Sequence, residues 1–153
     1  RTRAVDPEEV FTAGLLHDIG KVMLRIRFAA VYDRLTTTGG DASLSQREHD
    51  AFGVDHSQVG AWLAESWQLP SAIVEAAGMH HDPIAPGAKL TVPVVVNLAN
   101  RLVHWTDIEQ GVLAPEAEAA LSEGGVLSFG ACVEIAALLQ GQKDDLRVFY
   151  GAR

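Results

Sequence analysis

Apolar residues recur along most of this chain at intervals of three and four, the period of a helix that buries one face. The first such row is Phe11, Leu15, Ile19, Val22 and Ile26. Asp6-Pro7-Glu8-Glu9 stands directly before it, with Asp6 as N-cap, Pro7 at the first helical position and Glu9 completing a capping box. The pattern predicts a helix from Pro7 to about Ile26. A shorter helix over Phe28 to Thr37 follows, stopped by Gly39-Gly40. Ser43 to Gln46 has the form of a second capping box, and its helix should end near Gly53. Asp55 is placed to cap a helix from His56 to Trp67, with Val59, Trp62 and Leu63 as its apolar face. Pro70 opens a helix that runs to His80, and His80-His81-Asp82-Pro83 leaves it, because a residue before proline disfavours helical geometry.

Ile84 to Lys89 reads as a Pro/Gly linker. Thr91-Val92-Pro93 opens a helix to Trp105; Val94-Val95-Val96 has strand character, but the apolar pattern continues past strand length. Short helices are expected over Pro115 to Leu121 and from Ser128 to Gly141, with a final turn or helix at Asp144 to Tyr150. No repeat and no convincing strand pair stands out. The expected fold is all-α: a compact multi-helix bundle of about six to eight short helices in a single domain over 1–153.

Composition bounds what such a bundle can do. Its 153 residues suffice for one core. A net charge of −8 argues against a general nucleic-acid binder, while leaving room for a small phosphorylated ligand held locally. The apolar runs are too short to span a membrane, and no signal peptide is visible. Cys132 is the single cysteine, so no intrachain disulfide forms and a reducing, cytoplasmic setting fits; its apolar context suits an inert packing residue. The chain starts at Arg1, as a fragment of a larger protein would.

The candidate chemistry lies where ionisable groups interrupt the apolar pattern. His17 and Asp18 adjoin inside the first predicted helix, and Lys21 is within one turn of both. Burying such groups costs several kcal/mol unless they are paired, hydrogen-bonded or bound to metal. His56 begins one later helix, and His80 and His81 end another. Imidazole and carboxylate are the usual ligands of zinc, iron and manganese, and helical bundles build such sites from inward-facing side chains. A structural polar cluster is the alternative, with Asp18 paired to Lys21 or to a histidine and with His80 and His81 on free helix-end carbonyls. His49 and His104 are expected at the surface or at an interface. Trp62, Trp67 and Trp105 are expected in the core or at a domain interface.

Leu15-Leu16-His17-Asp18-Ile19-Gly20-Lys21 resembles the His-Asp signature of the HD superfamily of metal-dependent phosphohydrolases. With Glu48 to Ala61, Trp67-Gln68-Leu69-Pro70 and His80-His81-Asp82-Pro83, the order is similar to an HDOD domain, the HD-related output domain of bacterial signalling proteins, from Pro7 to about Trp105. The resemblance implies His17 and Asp18 as metal ligands, and His56, His80 and His81 by analogy with the related phosphodiesterases. Asp18 and Lys21 are then the candidate catalytic groups, Lys21 as a phosphate ligand. Two departures stand out. No upstream histidine precedes His17, and Asn100 occupies the place of the family's late Asp, offering a neutral oxygen in its stead.

Three functions follow as expectations. The first is a cytoplasmic, bacterial signal-transduction module that acts through protein partners, or through an attached receiver or sensor domain, without catalysis. The second is a metal-dependent phosphohydrolase or cyclic-nucleotide or dinucleotide phosphodiesterase using iron, manganese or zinc. The third is a nucleotide sensor that does not hydrolyse its ligand. Self-association is expected if an apolar face lies open.

Overall fold

The computed structural model describes residues 5–37, 41–85, 87–107, 112–113 and Glu134. The described residues form six helices: α1 (Pro7–Leu16), α2 (Ile19–Leu35), α3 (Asp41–Phe52), α4 (His56–Ser66), α5 (Ser71–Met79) and α6 (Val92–Trp105). The all-α expectation holds, with one small addition. Thr106–Asp107 (β1) and Val112–Leu113 (β2) pair antiparallel, Thr106 opposite Leu113, although no strand pair stood out in the sequence. The segments expected as helices after 114, and Cys132, lie outside the described residues.

The chain divides into two compact units. The first comprises 1–83 and 90–98; the second comprises 84–89 and 99–153. The first contains α1 to α5 and the opening of α6. Within it α4 packs against α5 and α2, α1 against α5, and α3 against α2 and α4. Its core joins Ala13 of α1, Ile73 and Ala76 of α5, and Val92 and Val96 of α6, flanked by Val5, Val10, Leu16, Leu69 and Ala72.

Several helix ends obey their local sequence. Asp6 accepts a hydrogen bond from the Glu8 amide with Pro7 at the first position. Asp55 and Gln58 form a reciprocal capping box. Gly53, at a φ of +75°, ends α3, a conformation that glycine adopts without steric cost. α4 ends in a Schellman arrangement: the Gln68 amide donates to Glu65 O and the Leu69 amide to Ala64 O, and Gln68 takes the left-handed conformation.

Four expectations need correction. The first helix does not run unbroken to Ile26: the chain turns at His17–Asp18, and α2 begins at Ile19. The Phe28–Thr37 segment is the far half of α2, set off by a kink at Phe28 (φ −133°, ψ 39°). α3 starts at Asp41, so Ser43 lies inside the helix rather than at its start. Finally, the apolar row of the first predicted helix does not face the core. Phe11 is 68% exposed, Leu15 67% and Ile26 73%. Trp62 and Trp67 are also about half exposed, so they are not core residues. The α4 face that is buried carries His56, Ser57, Gly60 and Ala64.

That last substitution of small residues for large ones has a geometric cause. A Cβ on Gly20 would fall 1.9 Å from the His56 carbonyl oxygen and 2.8 Å from the Gly60 amide nitrogen. Gly60 faces it at ordinary contact distance, with Gly20 N 3.4 Å from where its own Cβ would be. α2 and α4 therefore meet backbone to backbone, leaving no room for a bulky side chain at the crossing. This contact places the His17–Asp18 turn beside the first turn of α4.

A candidate metal centre of histidine and aspartate

Five side chains named from the sequence come together in the first unit. Asp18 sits in the turn between α1 and α2, outside regular helical geometry (φ −99°, ψ 11°), and its carboxylate does not cap α2. Asp18 Oδ2 instead accepts from Lys21 Nζ at 3.0 Å and lies 3.3 Å from His17 Nε2. Asp18 Oδ1 is buried, without a hydrogen bond of good geometry, and faces His80 Nε2 at 3.4 Å and His56 Nε2 at 3.6 Å. His56 Nε2 in turn lies 3.3 Å from His80 Nε2 and 3.0 Å from His81 Nε2. Two overlapping groups, His17–Asp18–His80 and His56–His80–His81, each present ligand atoms within 4.8 Å of one another.

The outer nitrogens of these rings define their inner ones. His17 Nδ1 lies 2.7 Å from Gly14 O, and His80 Nδ1 lies 2.8 Å from Ala77 O. His56 Nδ1 lies 2.5 Å from Glu48 Oε2. Each partner is an acceptor, so each Nδ1 carries the hydrogen. In the neutral imidazole, Nε2 is then a bare lone pair. Three Nε2 lone pairs and the carboxylate of Asp18 converge on one region. A neutral cluster of this kind has acceptors facing acceptors, an arrangement relieved by a cation. The donor set of imidazole nitrogen and carboxylate oxygen fits zinc, iron or manganese. The helix-end reading of His80 also holds, since one ring nitrogen serves the carbonyl while the other enters the cluster.

Electrostatics agree with this geometry. Burial works to raise the Asp18 pKa, but the His80 contact and the nearby His17 and Lys21 outweigh it and hold the carboxyl well below the usual carboxylate range. Burial likewise works to raise Glu48, yet hydrogen bonds from the His56 ring and amide and from Tyr32 keep it lowered.

Glu48 and Asn97 complete the surroundings, and the sequence reading named neither as a site residue. Glu48 is fully buried; its Oε2 also accepts the His56 amide at 2.9 Å, and its Oε1 accepts the Tyr32 hydroxyl at 2.8 Å. Arg47-Glu48-His49-Asp50 looks like a solvated face. The signal that marks Glu48 is its place between Leu44 and Phe52, four residues from each and so on one face of α3. Asn97 Nδ2 donates to Met79 O and to Asp82 O, both at 2.9 Å, bracketing the His80–His81 turn. Its sequence signal is slight: one amide within the apolar run of α6. Asn100 is half-buried further along α6, in the second unit. His49 and His104 are exposed, as expected.

An all-α bundle that closes a His-Asp turn against histidines from two further helices defines a class, the HD-type helical domain. Within it, this chain belongs to the HDOD domain family, whose profile matches residues 1–83. It is also 28% identical over 102 residues to an uncharacterized protein of Treponema pallidum (strain Nichols). That match covers 65% of this chain and 20% of the relative, so the chain spans about a fifth of the relative's length. No solved structure matches. Among the described residues, no helix is long and apolar enough to cross a membrane.

Proposed function

We propose that this chain is a regulatory module of bacterial signal transduction, cytoplasmic in placement, which acts through protein contacts. The observation that carries this reading is the display to solvent of Phe11, Leu15, Ile26 and Trp62, on helices whose opposite faces are packed, and of Trp67 just past the end of α4. Side chains of this size gain most from burial, and an apolar surface marks an interaction site when it is extensive. In this reading the His–Asp cluster is a divalent-metal centre that ties α2, α4 and α5 together. His17, Asp18, His56, His80 and His81 would hold the ion.

The cluster also favours a second reading, a metal-dependent phosphohydrolase. A bound metal would supply Lewis-acid polarisation and a lowered pKa for its water. Lys21, fixed by Asp18, stands where it could meet a phosphate oxygen.

One experiment separates the two. The chain is loaded with iron or manganese, its metal content is measured, and it is assayed against nucleotides and cyclic dinucleotides beside a His17→Ala/Asp18→Ala variant. The regulatory reading expects bound metal that the variant loses, with no turnover by either protein. Turnover by the loaded chain that disappears in the variant would replace it with the hydrolase.

A further inference from the structure

A cavity of about 370 Å³ lies between α2 and α3, lined by Lys21, Val22, Arg25, Tyr32, Thr36, Leu44 and Arg47. Three of its seven lining residues are cations and none is acidic, in a chain whose net charge is −8. Its size falls within the usual range for small-molecule sites, roughly 300–1,000 Å³. We propose that this cavity binds a small phosphate-bearing anion.

The groups are suited to that ligand. Two guanidinium groups and an ammonium offer charge-assisted donors, and guanidinium geometry matches phosphate oxygens. Arg47 is anchored by its Nε on Leu35 O at 2.9 Å, which fixes the side chain across the α2–α3 junction. Arg25 meets Asp33 at 2.9 Å, but both are more than half exposed. Such a pair contributes little and yields readily to a stronger anion. Lys21 keeps Asp18 as its partner at 3.0 Å, and an ammonium has three donors to share. Thr36 lines the rim with its hydroxyl donating to Asp33 O at 3.1 Å, while Val22 and Leu44 give the cavity an apolar wall suited to the organic part of a phosphate ester. The inner wall touches the histidine cluster through two side chains: Lys21 bonds Asp18, and Tyr32 bonds Glu48, which holds His56. The anion site needs no metal and does not rest on the metal reading above.

The test is calorimetric titration of the chain with inorganic pyrophosphate at low ionic strength, in the presence of a chelator so that no metal-borne phosphate site can contribute. Saturable 1:1 binding is expected. Arg25→Glu should weaken it at least tenfold; Arg25 is exposed, so that variant should keep its fold. Arg47→Gln should weaken it similarly, with its circular dichroism compared to the parent because Arg47 also braces Leu35. Arg34→Gln, an exposed cation of α2 outside the cavity, should stay within twofold. Amide shifts on titration should gather at 21–36 and 44–47. Absence of saturable binding would overturn the proposal. So would saturable binding indifferent to Arg25→Glu and Arg47→Gln, or weakened equally by Arg34→Gln, because the anion would then sit elsewhere or respond only to overall charge.

Discussion

Glu48 is wholly buried, and each of its carboxylate oxygens meets a donor. It fixes His56 with the hydrogen on Nδ1 and thereby directs the Nε2 lone pair toward His80, His81 and Asp18. Outer partners of this kind typically change metal affinity by ten- to a hundredfold. Glu48→Gln keeps the shape but cannot accept three hydrogen bonds in the same way. It should weaken manganese or zinc binding by at least tenfold in a competition titration and lower unfolding stability by about 1–3 kcal/mol. The same residue gives the chain a pH dependence. A carboxyl held below its ordinary value of 4.5 stabilises the fold fully above that value, and the contribution is lost as pH falls through the lower folded value. Asp18 acts in the same direction. Urea unfolding of the metal-free chain should therefore show stability falling between about pH 5 and 3, with a shallower slope in Glu48→Gln. A slope unchanged by that substitution would remove Glu48 from the account.

At the scale of elements, the crossing of α2 and α4 decides whether the site exists. Gly20 lets the two backbones approach until no side chain fits at its position, opposite Gly60. The obstacle to a methyl group at Gly20 is the His56 carbonyl and the Gly60 backbone, not a flexible side-chain end, so the helices themselves must move apart. Overpacking of ordinary cores costs about 1–3 kcal/mol and occasionally more. Gly20→Ala should stand at or above the top of that range, and it should separate His17 and Asp18 from His56. Thermal unfolding together with metal titration checks both effects. A variant with unchanged melting temperature and unchanged metal affinity would show that the helices are not held this closely. The Gly20 requirement is local in sequence, two residues from Asp18, but its reason lies at His56 and Gly60, 36 and 40 residues away on α4.

Across the first unit, small residues face inward and several large ones face out. Ala13, Ala64, Ala76, Ala77, Gly20 and Gly60 lie where the helices pack, while Phe11, Leu15, Ile26, Trp62 and Trp67 remain accessible. An exposed apolar side chain contributes little to folding, and surface substitutions usually stay within about 0.5 kcal/mol. The pair Phe11→Ser and Leu15→Ser should therefore change unfolding stability by less than about 1 kcal/mol, while weakening any self-association seen by analytical ultracentrifugation. A loss of several kcal/mol in the dilute monomer would place these side chains in the core instead.

The sequence alone determined most of the local structure. Asp6, Asp55, Gly53 and Pro70 mark helix ends because capping, left-handed turns and the proline ring act over a few residues. It also marked His17, Asp18, Lys21, His56, His80 and His81, since adjacent ionisable groups in apolar helices are costly unless they have partners. Tertiary structure decided the rest. Periodicity shows that a helix has an apolar face but not whether that face meets the core, and so it misplaced Phe11, Leu15, Ile26 and Trp62. It could not show the break at His17–Asp18, where the Asp18 side chain leaves its helix for Lys21 and the histidines. Nor could it separate Glu48 from its charged neighbours. Whether a carboxylate is solvated or buried depends on what packs over it, and that was settled only when Tyr32 and His56 closed around this one.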